Sequence, residues 1–158
     1  MYRRVLIPLD GSRLAEGIVP FILDIAGPLD LDVVLLRVVQ AIPPDVIEAS
    51  RHIVLEDVEG RLAEARAYLE PIADTLRAKG IRVSVEVRRG EPVTEIAAAA
   101  GATGSDLIAM TTHGRSGLGR LLFGSVAEAV LRQAEIPVFL MRLTEAQAFT
   151  RAARGALR

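Results

Sequence analysis

The sequence predicts an α/β fold: a single-domain, five-stranded parallel open sheet with helices on both faces. Three observations predict it. Five apolar runs rich in β-branched residues punctuate the chain, helical patterns separate them, and none of the junctions is a short hairpin turn. Strand and helix therefore alternate, and right-handed crossovers turn that order into a parallel sheet covered on both sides. The 158 residues suit one compact domain, and a hydrophobic share of 51% is enough to bury its core.

The first strand runs from Arg3 to Leu9. A helix from about Ser12 to Ala26 follows, with Leu14, Ile18, Ile22 and Ile25 on one face and Gly27-Pro28 as its stop. The second strand spans Asp32 to Val39, and Ala41-Ile42-Pro43-Pro44 then opens a loop that lasts to about Ile53. From about Ile53 to Lys79 the composition is helical, with Leu62, Leu69, Ile72 and Leu76 as the buried stripe and Gly80 as the residue after the end. Pro71 predicts a kink or a break within it. The third strand, Ile81 to Arg88, alternates Ile81, Val83, Val85 and Val87 with polar or small residues, a pattern that suits an edge. Gly90-Glu91-Pro92 opens a short helix ending near Ala100-Gly101, with Pro92 in the first turn. A strand from Asp106 to Thr112, a helix from Ser125 to about Ala134 and a last strand from Ile136 to Leu143 complete the order. Residues 1–143 read as one domain. The tail 144–158, with Arg151, Arg154 and Arg158, reads as a frayed or disordered end rather than a basic arm.

Composition removes several function classes. A net charge of −1 gives no electrostatic reason to expect nucleic acid or an anionic membrane as partner. With no cysteine there is no disulfide framework, thiolate metal site or cysteine nucleophile. The apolar run Val5 to Leu9 is too short for a signal-peptide core, and no stretch approaches the roughly 18 residues that span a bilayer. The expectation is a soluble cytoplasmic protein.

The chemistry concentrates between Met110 and Ser125, where a strand leads through a glycine-rich loop into a helix. Gly114, Gly117, Gly119 and Gly124 let backbone N–H groups approach an anion, the helix adds unpaired donors and its positive dipole end, and Arg115 and Arg120 add charge. That is a place for phosphate. The loop G-x-x-x-x-G-K-[ST] is absent, and so is G-x-G-x-x-G after the first strand. At the end of the first strand stands Pro8-Leu9-Asp10-Gly11-Ser12. Asp10 suits either a ribose hydroxyl or metal, or an Asx turn into the helix. Ser125 with Glu128 fits a capping box that requires no ligand. His113 reads as a structural donor rather than a base, His52 as a surface residue, and Arg88-Arg89 as a solvated strand end.

Gly114 followed by nine residues and then Gly124-Ser125, together with Pro8-Leu9-Asp10, resembles the universal stress proteins, specifically their ATP-binding class, whose glycine motif is commonly written G-x2-G-x9-G-[ST]. The resemblance covers nearly the whole domain. Thr111 stands where the motif has its first glycine. The resemblance implies a Rossmann-like, adenine nucleotide alpha hydrolase-like fold and an adenine-nucleotide-binding regulator or sensor of stress. It implies Pro8, Leu9 and Asp10 on the base and ribose side, Val38 at the adenine, and Met110 and Thr111 at the sugar. Gly114, Gly124, Ser125 and Val126 would hold the phosphates, with His113 and Arg115 beside them. ATP is the implied cofactor, with Mg or Mn as its candidate companion, and a homodimer through the last strand the implied assembly. No catalytic residue and no protein metal cluster is assigned. The competing functions are a dimeric interaction module of the same fold that binds no nucleotide, and a slow ATPase using Asp10, Arg115 and Arg120.

Overall fold

The computed structural model describes residues 1–40, 51–113 and 124–143, with the backbone alone described at 51–57 and 113. Five strands, β1 (Arg4–Pro8), β2 (Asp32–Gln40), β3 (Val83–Gly90), β4 (Leu107–His113) and β5 (Val138–Leu143), form one parallel sheet in the order β3-β2-β1-β4-β5. The third strand lies at an edge, as its alternation predicts. It extends beyond the sequence expectation because Arg89 and Gly90 continue the register against Val39 and Gln40.

Helices cover both faces. Helices α1 (Arg13–Glu16), α2 (Val19–Ala26) and α3 (Arg51–Arg77) pack with Val5, Ile7, Leu9, Val33, Leu35 and Ala109. Helices α4 (Pro92–Thr103) and α5 (Ser125–Gln133) pack on the other side with Leu6, Val34, Leu36, Ile108 and Met110. The two-residue period of the strands divides the apolar side chains between these cores. Leu6, Ile7, Leu35 and Leu36 are fully buried, each contributing about 1.5–3 kcal/mol by leaving water. No helix among the described residues is long and apolar enough to cross a membrane.

One helix expectation is corrected, and the break allowed for at Pro71 is absent. The helix expected over Ser12 to Ala26 is two, because Pro20 has no N–H to return to the Glu16 carbonyl and its ring crowds that carbonyl. Ser12 caps the first, its hydroxyl accepting from Ala15 N at 3.1 Å, and Gly17 closes it by donating to Arg13 and Leu14 carbonyls. Conversely, α3 passes through Pro71 without a break. Its buried line is Ala65, Leu69, Ala73 and Leu76, with Ile72 half-buried beside it. That packing sustains the helix despite the missing bond to the Ala67 carbonyl.

Pro71 is exposed, so its replacement removes no core contact. Pro71→Ala is expected to stabilise the fold by about 1–3 kcal/mol by restoring that bond. The rise should appear as a higher urea midpoint with an unchanged slope.

Candidate functional site

The site begins with a defect in the sheet. Leu9 donates to the Leu36 carbonyl on β2 at 2.8 Å, so by the alternation of strand backbone the nitrogen of Pro8 faces β4. Proline has no hydrogen to donate there, and β1 pairs with β4 at just two positions, Val5 with Leu107 and Leu6 with Ile108. Beyond them β4 continues with β5 to His113 while β2 continues with β3 to Gln40. A crevice therefore opens at the carboxyl ends, between neighbouring strands whose crossovers lead to opposite sides.

That crevice is a cavity of about 730 Å³, and it gathers most of the residues expected from the sequence: Pro8 from β1, Leu9 and Asp10 just after it, Val38 from β2, Met110 and Thr111 from β4, and Gly124, Ser125 and Val126 at α5. His113 ends β4, with its backbone alone described. Gly114, Arg115, Arg120 and the rest of the glycine loop, the loop from 41 to 50 and the tail 144–158 lie outside the described residues.

Asp10 forms the Asx turn, its Oδ1 accepting from Ser12 N at 2.9 Å. The turn needs Gly11 at φ +86°. Asp10 is exposed, and its second carboxylate oxygen has no partner among the described residues, so the turn does not exclude a ligand role. On β2, Leu36 bonds toward β1, so Val38 presents its N–H and C=O on the same side, past the end of β1. An adjacent donor and acceptor thus face the crevice. On β4, Ile108 donates to Pro137, so the Thr111 backbone faces the gap.

Opposite stands the start of α5, capped by Gly124 with no side-chain cap bond. The capping box expected from Ser125 and Glu128 is not formed. Ser125 is the first helical residue rather than the cap, and Glu128 is drawn to Arg132 at 2.6 Å. Gly124 N donates to the buried Thr112 hydroxyl at 3.4 Å, which ties this helix start to β4. The helix N-terminus thus offers N–H donors and a positive dipole end to the crevice.

Sequence reasoning missed a second wall. Arg37, Gln40, Arg61, Glu64, Ala65 and Tyr68 line the same cavity from β2 and α3. Arg37 donates to the Leu9 carbonyl at 3.3 Å and lies 5.5 Å from the centre of the Tyr68 ring, while Tyr68 donates to Glu16 at 2.8 Å. Burial first, and then the Glu16 carboxylate, push the Tyr68 hydroxyl far above its ordinary pKa, so it stays a donor at every physiological pH. The signal was a cation inside the run Val33 to Val39: a charge near the end of an otherwise apolar strand requires a partner.

Residues 1–142 match the model of the universal stress protein family. The chain belongs to that family. A curated relative, universal stress protein MJ0531 of Methanocaldococcus jannaschii, is 31% identical over 144 residues, covering 90% of this chain and 83% of the relative. The solved structure of MJ0577 from the same organism superposes with a TM-score of 0.77 at 28% identity, covering 92% of this universal stress protein and 99% of its own chain. A universal stress protein family structure from Arabidopsis thaliana, solved with AMP bound, has a TM-score of 0.62 at 18% identity, covering 91% and 94%. At that identity the Arabidopsis structure speaks for the fold.

Ser125→Ala is expected to change folding stability by no more than about 0.5 kcal/mol, since the hydroxyl caps nothing. A loss of about 1 kcal/mol or more in chemical denaturation would restore the capping box.

Proposed function

We propose that this universal stress protein is an adenine-nucleotide-binding regulator that takes ATP in the β1/β4 crevice. One observation carries the reading. A paired donor and acceptor on Val38 and the bare start of α5 at Gly124-Ser125 face one cavity from opposite ends. Adenine offers the complementary pair, a ring nitrogen that accepts and an exocyclic amine that donates. Guanine reverses both. Leu9, Val38 and Met110 supply apolar contact for the base, Asp10 an acceptor for a ribose hydroxyl, and Thr111 borders the sugar. Ser125 and Val126 take the phosphates through N–H groups and the Ser125 hydroxyl, and Gly124 leaves room for their approach. Gly114, Arg115 and His113 belong to this reading by their place in the motif.

A magnesium or manganese ion accompanying ATP would find the free Asp10 oxygen and the phosphates themselves as ligands, the usual manner for Mg²⁺. Binding, rather than turnover, is the assigned activity. Hydrolysis needs a positioned water and charge compensation that strengthens in the transition state. The AMP-bound Arabidopsis protein supports adenine nucleotide as the ligand class, since it belongs to the same family.

Mass spectrometry of ligand released from the purified protein is expected to find an adenine nucleotide, and calorimetry to find ATP bound at least about tenfold tighter than GTP. Gly124→Val is expected to weaken ATP at least about 30-fold while the protein still folds, because φ −55° and ψ 144° accept any residue and the poorer cap costs only about 1 kcal/mol. Failure to bind any nucleotide below millimolar would leave the interaction module as the better account. Phosphate release above a buffer control with Mg²⁺ or Mn²⁺ would establish the slow ATPase.

The same reading includes a homodimer through the last strand. β5 is a sheet edge, and because Pro137 accepts from Ile108, the backbone groups of Val138, Leu140 and Arg142 point away from β4. Arg142 is exposed, so Arg142→Pro removes an outward N–H while leaving the ladder to β4 intact. Sedimentation equilibrium is expected to show a dimer for the native protein and a folded monomer for the variant. A variant that still dimerises would place the interface elsewhere.

A further inference from the structure

We propose that Arg37 is a positioning residue for base recognition: its guanidinium occupies the Leu9 carbonyl and thereby keeps the Val38 N–H out of the β1–β2 ladder. The affinity part of this rests on the nucleotide reading above. The structural part does not.

The register shows what Arg37 prevents. β1 and β2 pair in step from Arg4 with Asp32 to Pro8 with Leu36, and Leu9 N still reaches Leu36 O at 2.8 Å. The next rung of a parallel ladder would run from Val38 N to the Leu9 carbonyl. That bond is not made. Arg37 Nη1 donates to the Leu9 carbonyl instead, at 3.3 Å. One further contact fixes the guanidinium: its central carbon lies 5.5 Å from the Tyr68 ring centre, and Tyr68 is in turn held by Glu16. Gly11 lies against the guanidinium as well, where an added Cβ would stand 3.1 Å from Nη1. Gly11 therefore serves twice, for its positive φ and for the space the guanidinium fills.

With the Leu9 carbonyl turned to Arg37, the Val38 N–H has no ladder acceptor among the described residues, and an unpaired N–H in a cleft is costly unless water or a ligand takes it. The Val38 N–H is thus held ready for an acceptor such as the ring nitrogen of adenine. Without Arg37, Val38 N and Leu9 O are free to close the rung, and the donor is lost from the crevice. Arg37 touches no base in this account. It acts through Leu9 and Val38.

The test measures amide hydrogen exchange at Val38 by NMR in the ligand-free protein, beside ATP calorimetry. In the native protein Val38 is expected to exchange at least about a hundredfold faster than Leu36, which lies within the ladder. In Arg37→Leu, Val38 protection is expected to rise at least tenfold and ATP affinity to fall about tenfold, with Arg37→Lys recovering part of both because its ammonium can still donate to Leu9. Arg37→Met, unbranched over Tyr68, gives the same comparison should leucine disturb folding. Protection of Val38 equal to that of Leu36 in the native protein, or no gain in the variants, overturns the proposal. If the native protein binds no nucleotide, the functional reading fails and the exchange comparison alone decides the role of Arg37.

Discussion

A missing hydrogen atom organises the site. Pro8 stands where β1 should donate to β4, and the ladder between the two central strands ends after two pairs. In an open parallel sheet the point where crossovers reverse direction already tends to gape, since no connection covers it. Here β2 and β4 also outrun β1 at their carboxyl ends, by partnering β3 and β5 in full register. The outcome is a gap bordered by backbone rather than by side chains alone. Val38 and Thr111 turn their main-chain polar groups into it from either side.

The opposite end of the sheet is built for closure. Asp106 accepts from the backbone N–H of both Arg3 and Arg4, at 2.9 and 3.1 Å, and Asp32 joins Arg4 to Arg82. Those two arginines, hydrogen-bonded to Asp32, hold its carboxyl below the ordinary range, so it stays ionised and the clamp persists well into acid. The contacts are solvent-accessible and individually weak. Their value is positional. They pin the amino ends of β1, β2 and β4 together, so that divergence is confined to the carboxyl ends.

The fold was legible because each strand carries its own periodicity and each junction its own turn residues, and those signals are local. The crevice was legible for the same reason: Pro8-Leu9-Asp10 and Gly124-Ser125 sit at strand and helix ends that the alternating order brings to one edge. Arg37 and Tyr68 were not, since their meeting depends on a helix that returns across the sheet about thirty residues later in the chain. Ser125 was misread for a subtler reason. The sequence Ser-x-x-Glu satisfies the capping-box pattern, yet Gly124 takes the cap position because its extended ψ lets Glu128 N reach the Gly124 carbonyl at 2.9 Å. A pattern specifies spacing, not the residue at which the helix starts.

Thr111 stands on β4 three residues before Gly114. In the motif a glycine belongs at this position, which suggests that a side chain there would narrow the phosphate end. Strand alternation argues otherwise. Leu107 and Ala109 belong to the core beneath α1, α2 and α3, while Ile108, Met110 and the Thr112 hydroxyl that receives Gly124 belong to the α5 side. Thr111 therefore directs its Cβ toward the α1 side, where its register partner Met141 packs with Leu14. The helix start that would hold phosphate lies across the sheet from that side chain. What Thr111 gives to the gap is its backbone, which glycine would give equally, so the departure from the motif falls on the face that the proposed phosphate site does not use.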